Sequence, residues 1–182
     1  FGKHNLNNLA GAKWVCQQIG IDENDFYEAI STFQGASKRL EKIAETDNAI
    51  AYKDFAHSPS KVLATTNALK NQYPNRKLIA CLELHTYSSL NPEFLNQYKG
   101  ALTAADLPVV FYSPRALEIK QLQAISQQQI MDAFQSDDLM VYNNFAEFKN
   151  FLFSQKFNNT SLLLMSSGNY GGLNFDEIKQ LF

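Results

Sequence analysis

The sequence predicts an open, mostly parallel α/β sheet with helices on both faces, preceded by two helices. Three observations carry this. Short apolar runs such as 77–82 and 107–112 alternate with stretches whose apolar residues recur every three or four positions, which is the strand-helix alternation of an α/β fold. Lys77-Leu78-Ile79-Ala80-Cys81-Leu82 is nearly continuously apolar, as a central parallel strand covered on both faces must be. The first 34 residues hold two helical patterns and no strand, too little for a domain of their own.

In chain order, Leu9, Ala12, Cys16 and Ile19 fall at helical spacing, and Gly20 stops that helix. Phe26, Ala29, Ile30 and Phe33 form a second apolar face, opened by Asp22 or Asp25 as N-cap and closed near Gly35. The character changes near 34–38, dividing 1–36 from 37–182. Residues 40–44 and 49–52 read as strands joined by a hairpin-like turn at Asp47-Asn48. Ser58-Pro59 starts a helix, with Ser as N-cap and Pro at the first helical position, and Val62, Thr66 and Leu69 continue it.

After the strand at 77–82, Phe94, Tyr98, Ala101 and Leu102 mark a helix and 107–112 a strand. Residues 115–136 read as helical, Gln-rich and solvated, with no function attached. A strand at 139–142, a helix carrying Phe145, Phe148 and Leu152, a strand at 161–165 and a helix over 176–182 complete the alternation, with right-handed crossovers expected.

At 182 residues and 45% hydrophobic content the chain has one domain, or one with a fragment of another, and a real core. Sixteen basic against 18 acidic residues, a net charge of -2, give no basic field for nucleic acid. A mean hydropathy of -0.28, with no run of apolar residues long enough to span a bilayer, argues against a membrane. The opening Phe1-Gly2-Lys3-His4 is unlike a signal peptide and reads as cut from something longer, so a cytoplasmic location is expected. Cys16 and Cys81 sit in a helical and a strand pattern and read as buried free thiols.

In such a sheet ligands gather past the carboxyl ends of the strands. Four stretches lie there: Asp54 to Ser58, Glu83 to Ser89, Tyr112 to Arg115, and Ser166 to Gly172. His57 is suited to be a general base, or simply a hydrogen-bonded loop residue. The glycine-rich end is an anion cradle or a plain turn, without the Lys and spacing of a P-loop. Lys38-Arg39 is a phosphate clamp or a solvated pair. Three scattered histidines form no metal cage.

His4-Asn5-Leu6-Asn7-Asn8, Phe33-Gln34-Gly35-Ala36-Ser37-Lys38-Arg39-Leu40-Glu41 and Asp54-Phe55-Ala56-His57-Ser58-Pro59 occur in one order. Together they resemble the HNxxN, G…R-hydrophobic-E and D-aromatic-A-H-x-P stretches of the Mur ligase family. These ATP-dependent enzymes join amino acids or peptides to the carboxylate of UDP-N-acetylmuramate. Leu63-Ala64-Thr65 and the stretch from Leu164 to Gly172 are most similar to members that add the intact L-alanyl-γ-D-glutamyl-meso-diaminopimelate tripeptide during peptidoglycan recycling. Glu83-Leu84-His85-Thr86 departs from the E-P-R-S of many of those members, and Leu84-His85-Thr86-Tyr87 is partly similar to the P-H-R-Y of alanine-adding ones. Ser58 stands where a second histidine is usual.

The resemblance implies that residues 37–182 are the Rossmann-like third domain, which closes on ATP, and that 1–36 are the last helices of the central ATPase domain. ATP would then be the cofactor, with Mg²⁺ held mainly by the absent central domain. The partners would be UDP-N-acetylmuramate, the murein tripeptide and the chain's own other domains. Asn5 and Asn8 would meet the adenine edge, Arg39 the phosphates, Asp54 the ribose hydroxyls or Arg39, and His57 the nucleotide or the approaching amine. The peptide would touch His85, Thr86, Tyr87 and Ser88 on one side and Ser167, Gly168, Asn169 and Tyr170 on the other, with Arg115 or backbone donors taking its carboxylate. A folylpolyglutamate synthase-like ligase and a non-catalytic nucleotide-binding module are the alternatives. The 182 residues alone are expected to be inactive.

Overall fold

A computed structural model describes residues 2–33 and 38–182. Among the described residues six strands form one sheet: β1 (Glu41–Glu45), β2 (Ala49–Asp54), β3 (Lys77–Leu84), β4 (Leu107–Tyr112), β5 (Met140–Tyr142) and β6 (Thr160–Met165), in the order β1-β2-β6-β3-β4-β5. Only β1 runs antiparallel to its neighbour; the other four pairings are parallel. The β1–β2 turn is closed by Thr46, whose N–H donates to the Ala49 carbonyl at 2.9 Å, so Asp47-Asn48 does form the expected hairpin tip.

Alternate residues of each strand feed two cores, as the two-residue period of a strand requires. Ile50, Tyr52, Ala80, Leu82, Val110 and Leu163 face one side and pack with α3 (Pro59–Gln72), α4 (Pro92–Leu95) and its one-turn 3₁₀ extension Asn96–Tyr98. Ala51, Ile79, Cys81, Val109, Phe111, Leu162 and Leu164 face the other, under α7 (Phe145–Ser154) and α8 (Phe175–Lys179). All six residues of β6 are buried, and all but the first of β3.

Ahead of the sheet lie α1 (Lys3–Gln18) and α2 (Glu23–Ser31), without a strand, as the sequence implies. Asp22 caps α2 by accepting the Asp25 N–H at 2.9 Å. Its expected close at Gly35 lies outside the described residues, as does most of the 34–38 boundary. On α1 no residue is buried, and Trp14 is 63% exposed. Cys16 is therefore half-buried rather than buried, whereas burial in β3 pushes the Cys81 thiol up.

The Gln-rich segment departs most from expectation. It is two helices, α5 (Pro114–Ile119) and α6 (Gln127–Phe134), separated by Gln121 in the left-handed region at φ 55°. Nor is it a solvated face: Ile130, Ala133 and Phe134 are buried, and Phe134 stacks on Tyr98 with centroids 5.2 Å apart. The glutamines misled because Gln129 serves a capping box, its side chain accepting from the Ser126 N–H at 2.8 Å, while the apolar residues between them carry the packing. The helix expected around Phe94 to Leu102 is likewise short, ending in turns through Gly100.

Candidate functional site

The carboxyl ends of β2, β3, β4 and β6 share one edge of the sheet, and two clusters are built there. The first begins with Asp54, the last residue of β2, which is 8% exposed. One carboxylate oxygen accepts the Ala56 N–H at 2.7 Å and the other the Leu40 N–H at 2.7 Å. The Lys38 carbonyl in turn accepts the Phe55 N–H at 2.7 Å. The segment 38–40, with Lys38 and Leu40 at φ 57° and 44°, is thereby laced onto the turn after β2.

Asp54 thus acts on Arg39 through the backbone. The exposed Arg39 guanidinium lies over the Phe55 ring, 5.3 Å from its centroid, and Phe55 meets His57 edge-on at 5.1 Å. His57 Nδ1 lies 2.8 Å from the Phe55 carbonyl. A carbonyl only accepts, so Nδ1 carries a proton, and Nε2 is the ring nitrogen left for another partner. The Tyr98 hydroxyl donates to the His57 carbonyl, and burial pushes that phenol up to about 12. Ser58 occupies the N-cap of α3 with Pro59 following, yet its side chain makes no capping bond.

The second cluster centres on a residue the sequence reading did not single out. Glu83, near the end of β3, is only 2% exposed. Its Oε2 accepts the Ser166 hydroxyl and the Tyr170 N–H, the latter at 2.8 Å, and Ser166 Oγ accepts the Gly168 N–H at 2.6 Å. Its other oxygen lies 3.8 Å from His85 Nδ1. The signal was available: a carboxylate inside an apolar strand must find buried donors. A Cβ on Gly168 would come within 2.9 Å of both Glu83 and the His85 ring, so only glycine fits there.

Tyr170 is corrected. It is fully buried, its hydroxyl shared between the Cys81 and Met165 carbonyls at 2.7 and 2.8 Å, and its ring stacks on Phe148 at 5.3 Å. Its side chain anchors the loop and does not face a ligand. Tyr170, Gly171 and Gly172 run in succession at positive φ (53°, 70° and 106°), a path that glycine follows without strain.

The remaining candidates fall as follows. Thr86 and Ser89 bond each other through side chain and backbone at 2.9 to 3.1 Å, with Ser88 Oγ 3.2 Å from the Thr86 hydroxyl. Tyr87 is 62% exposed. Ser167 Oγ is buried with no hydrogen-bond partner among the described residues, and Asn169 is exposed. Arg115 is exposed on α5. Asn5 and Asn8, three residues apart, share a face of α1, half-buried and exposed respectively. Among the described residues no group of His, Cys, Asp or Glu gathers to hold a metal, and no helix is long and apolar enough to cross a membrane.

Fold and site define an α/β domain whose ligand edge pairs a cation-bearing turn with a carboxylate-pinned glycine loop. No family model matches the chain. It is 28% identical over 181 residues, 98% of its length, to the UDP-N-acetylmuramate–L-alanine ligase of Agathobacter rectalis, of which it spans 39%. Among solved structures, UDP-N-acetylmuramate–alanine ligase from Thermotoga maritima matches with TM-score 0.71 at 17% identity, over 99% of this chain and 37% of that one. A murein peptide ligase from Psychrobacter arcticus matches with TM-score 0.68 at 21% identity, over the same shares. The chain thus shares its fold with these ligases and is similar in sequence, over nearly all its length, to about two fifths of an alanine-adding one.

Proposed function

We propose that residues 37–182 are the closing domain, and 1–36 the last helices of the central domain, of an ATP-dependent ligase. The whole enzyme joins the amine of an amino acid or peptide to the lactoyl carboxylate of UDP-N-acetylmuramate. The carboxylate is phosphorylated by ATP; the amine then attacks the acyl carbon and phosphate leaves. Catalysis of this kind is mainly positioning and charge neutralisation. One observation carries the reading: Arg39 is an exposed cation whose backbone is pinned by Asp54 and whose side chain rests on Phe55, ready to move onto phosphate oxygens.

In this scheme Asn5 and Asn8 meet the adenine, Arg39 the phosphates, and Asp54 is a positioning residue for Arg39. His57 offers Nε2 toward the nucleotide or the amine. Mg²⁺ belongs to the central domain and supplies charge neutralisation at the phosphates. The incoming amine lies between the loops at 85–88 and 167–169.

The resemblance of Asp54 to Pro59 and of Leu164 to Gly172 to tripeptide-adding enzymes supports a muropeptide ligase that loads L-alanyl-γ-D-glutamyl-meso-diaminopimelate. The likeness to the A. rectalis enzyme over 98% of the chain favours L-alanine as a second reading. Phosphate release by the full-length protein, offered UDP-N-acetylmuramate and ATP with either amine, separates them. Release with the tripeptide alone is expected; release with alanine alone selects the second reading, and release with neither leaves a non-catalytic module.

A further inference from the structure

Resting on that reading, we infer that Glu41 is a second positioning residue for Arg39: its carboxylate, paired with Lys53, fixes the main chain on the side of Arg39 that Asp54 does not reach. Its Oε2 accepts the Lys38 N–H at 2.8 Å, and its Oε1 lies 2.9 Å from the Lys53 ammonium. Glu41 opens β1 directly across from Lys53 in β2, so the register of the two strands delivers the ion pair. Lys53 in turn rests on the Phe175 ring of α8, 5.3 Å from its centroid.

The segment 38–40 needs such bonds. Lys38 and Leu40 both lie in the left-handed region, at φ 57° and 44°, which residues with a Cβ disfavour. Strand pairing does not hold them, since β1 starts only at Glu41. Glu41 takes the N–H ahead of Arg39 and Asp54 the N–H after it, at 2.8 and 2.7 Å. Both carboxylates thus grip the main chain and leave the guanidinium alone: among the described residues Arg39 forms no ion pair, although Glu41 is two positions away. Lys53 neutralises Glu41, so the nearest carboxylate does not compete with a phosphate for the guanidinium. The Glu41 side chain is 37% exposed, so its ion pair adds little to global stability. Its effect falls on the placement of Arg39, where an error of about 1 Å costs about a hundredfold in rate.

The test uses the full-length protein with UDP-N-acetylmuramate, ATP and whichever of the two amines it accepts. Glu41→Ala is expected to lower kcat about tenfold with KM for the amine unchanged, and to speed hydrogen exchange at the Leu40 amide. Glu41→Gln keeps an acceptor for the Lys38 N–H and should recover part of the turnover. A double-variant cycle separates positioning from a merely structural role: in an Arg39→Ala background, Glu41→Ala should cause no further loss, because no guanidinium is left to place. The same tenfold loss in that background, or an unchanged kcat or unchanged Leu40 exchange in the single variant, overturns the role of Glu41 and leaves the ligase reading standing. No turnover by the parent with either amine overturns both.

Discussion

Glu83 and Tyr170 meet across the β3 and β6 ends of the sheet, Glu83 Oε2 accepting the Tyr170 N–H at 2.8 Å while the Tyr170 hydroxyl reaches back to the Cys81 carbonyl at 2.7 Å. A strand residue and a loop residue thus hold each other from both ends. The loop's left-handed path is fixed by bonds to the core and not by its own sequence alone.

Truncating that carboxylate leaves the Ser166 hydroxyl and the Tyr170 amide without their acceptor. Glu83→Ala is therefore expected to cost about 2–4 kcal/mol, read by urea unfolding, and to speed hydrogen exchange at Tyr170. Glu83→Gln keeps one acceptor oxygen and should lose less. Unchanged exchange in Glu83→Ala would show that the loop does not depend on this bond.

Gly168 tests the same cluster from the other side. A methyl group there meets Glu83 and His85 at 2.9 Å. Gly168→Ala should destabilise by about 1–3 kcal/mol, the range for overpacking a filled site, and Gly168→Ala combined with His85→Ala should recover part of it. A fully additive double variant would place the strain elsewhere.

Arg39 should behave in the opposite way. It is exposed and its described contact is with Phe55, so Arg39→Ala is expected to change stability by about 1 kcal/mol or less. On the ligase reading proposed above, turnover of the full-length protein should fall about a hundredfold or more. A large drop in melting temperature with normal turnover would make the arginine structural.

Much of this was legible in the residues. The run from Lys77 to Leu82 announced a strand buried on both faces, and Asp47-Asn48 announced the hairpin, because burial and turn chemistry act locally. Arg39, Asp54 and His57 were singled out by pattern, and the structure brings both Arg39 and His57 against the Phe55 ring. Glu83 escaped because its partners lie more than 80 positions away, beyond any local period. Tyr170 looked like a ligand contact because it stands among glycines, and only the packing of Phe148 shows that it points inward. In the Gln-rich segment, Ile130 and Phe134 sit at helical spacing, but the glutamines that flank them on both sides hid this apolar face. Phe134→Ala should accordingly cost about 3–5 kcal/mol, as loss of a buried ring does; a solvated helix would lose almost nothing.

Asp106 gives the acid limit of the fold. Its Oδ2 accepts the Leu78 N–H at 2.6 Å and the Lys70 ammonium at 2.7 Å, joining the start of β3 to α3. Burial alone would raise this carboxyl, but the Leu78 N–H and Lys70 outweigh it and hold it below its ordinary value. The unfolded chain therefore binds a proton at a higher pH than the native one. The stabilisation is complete above the unfolded value, about 3.9, and is lost as pH falls through the lower native value. With the Asp106 side chain 43% exposed, solvent screens the Lys70 pair, and the partly buried backbone bond dominates at about 1 kcal/mol. Asp106→Asn should be less stable than the parent by that amount at pH 7, and the difference should shrink toward pH 2 in parallel urea titrations. A gap of constant size across that window would assign the effect to the altered shape of the side chain and remove its charge from the account.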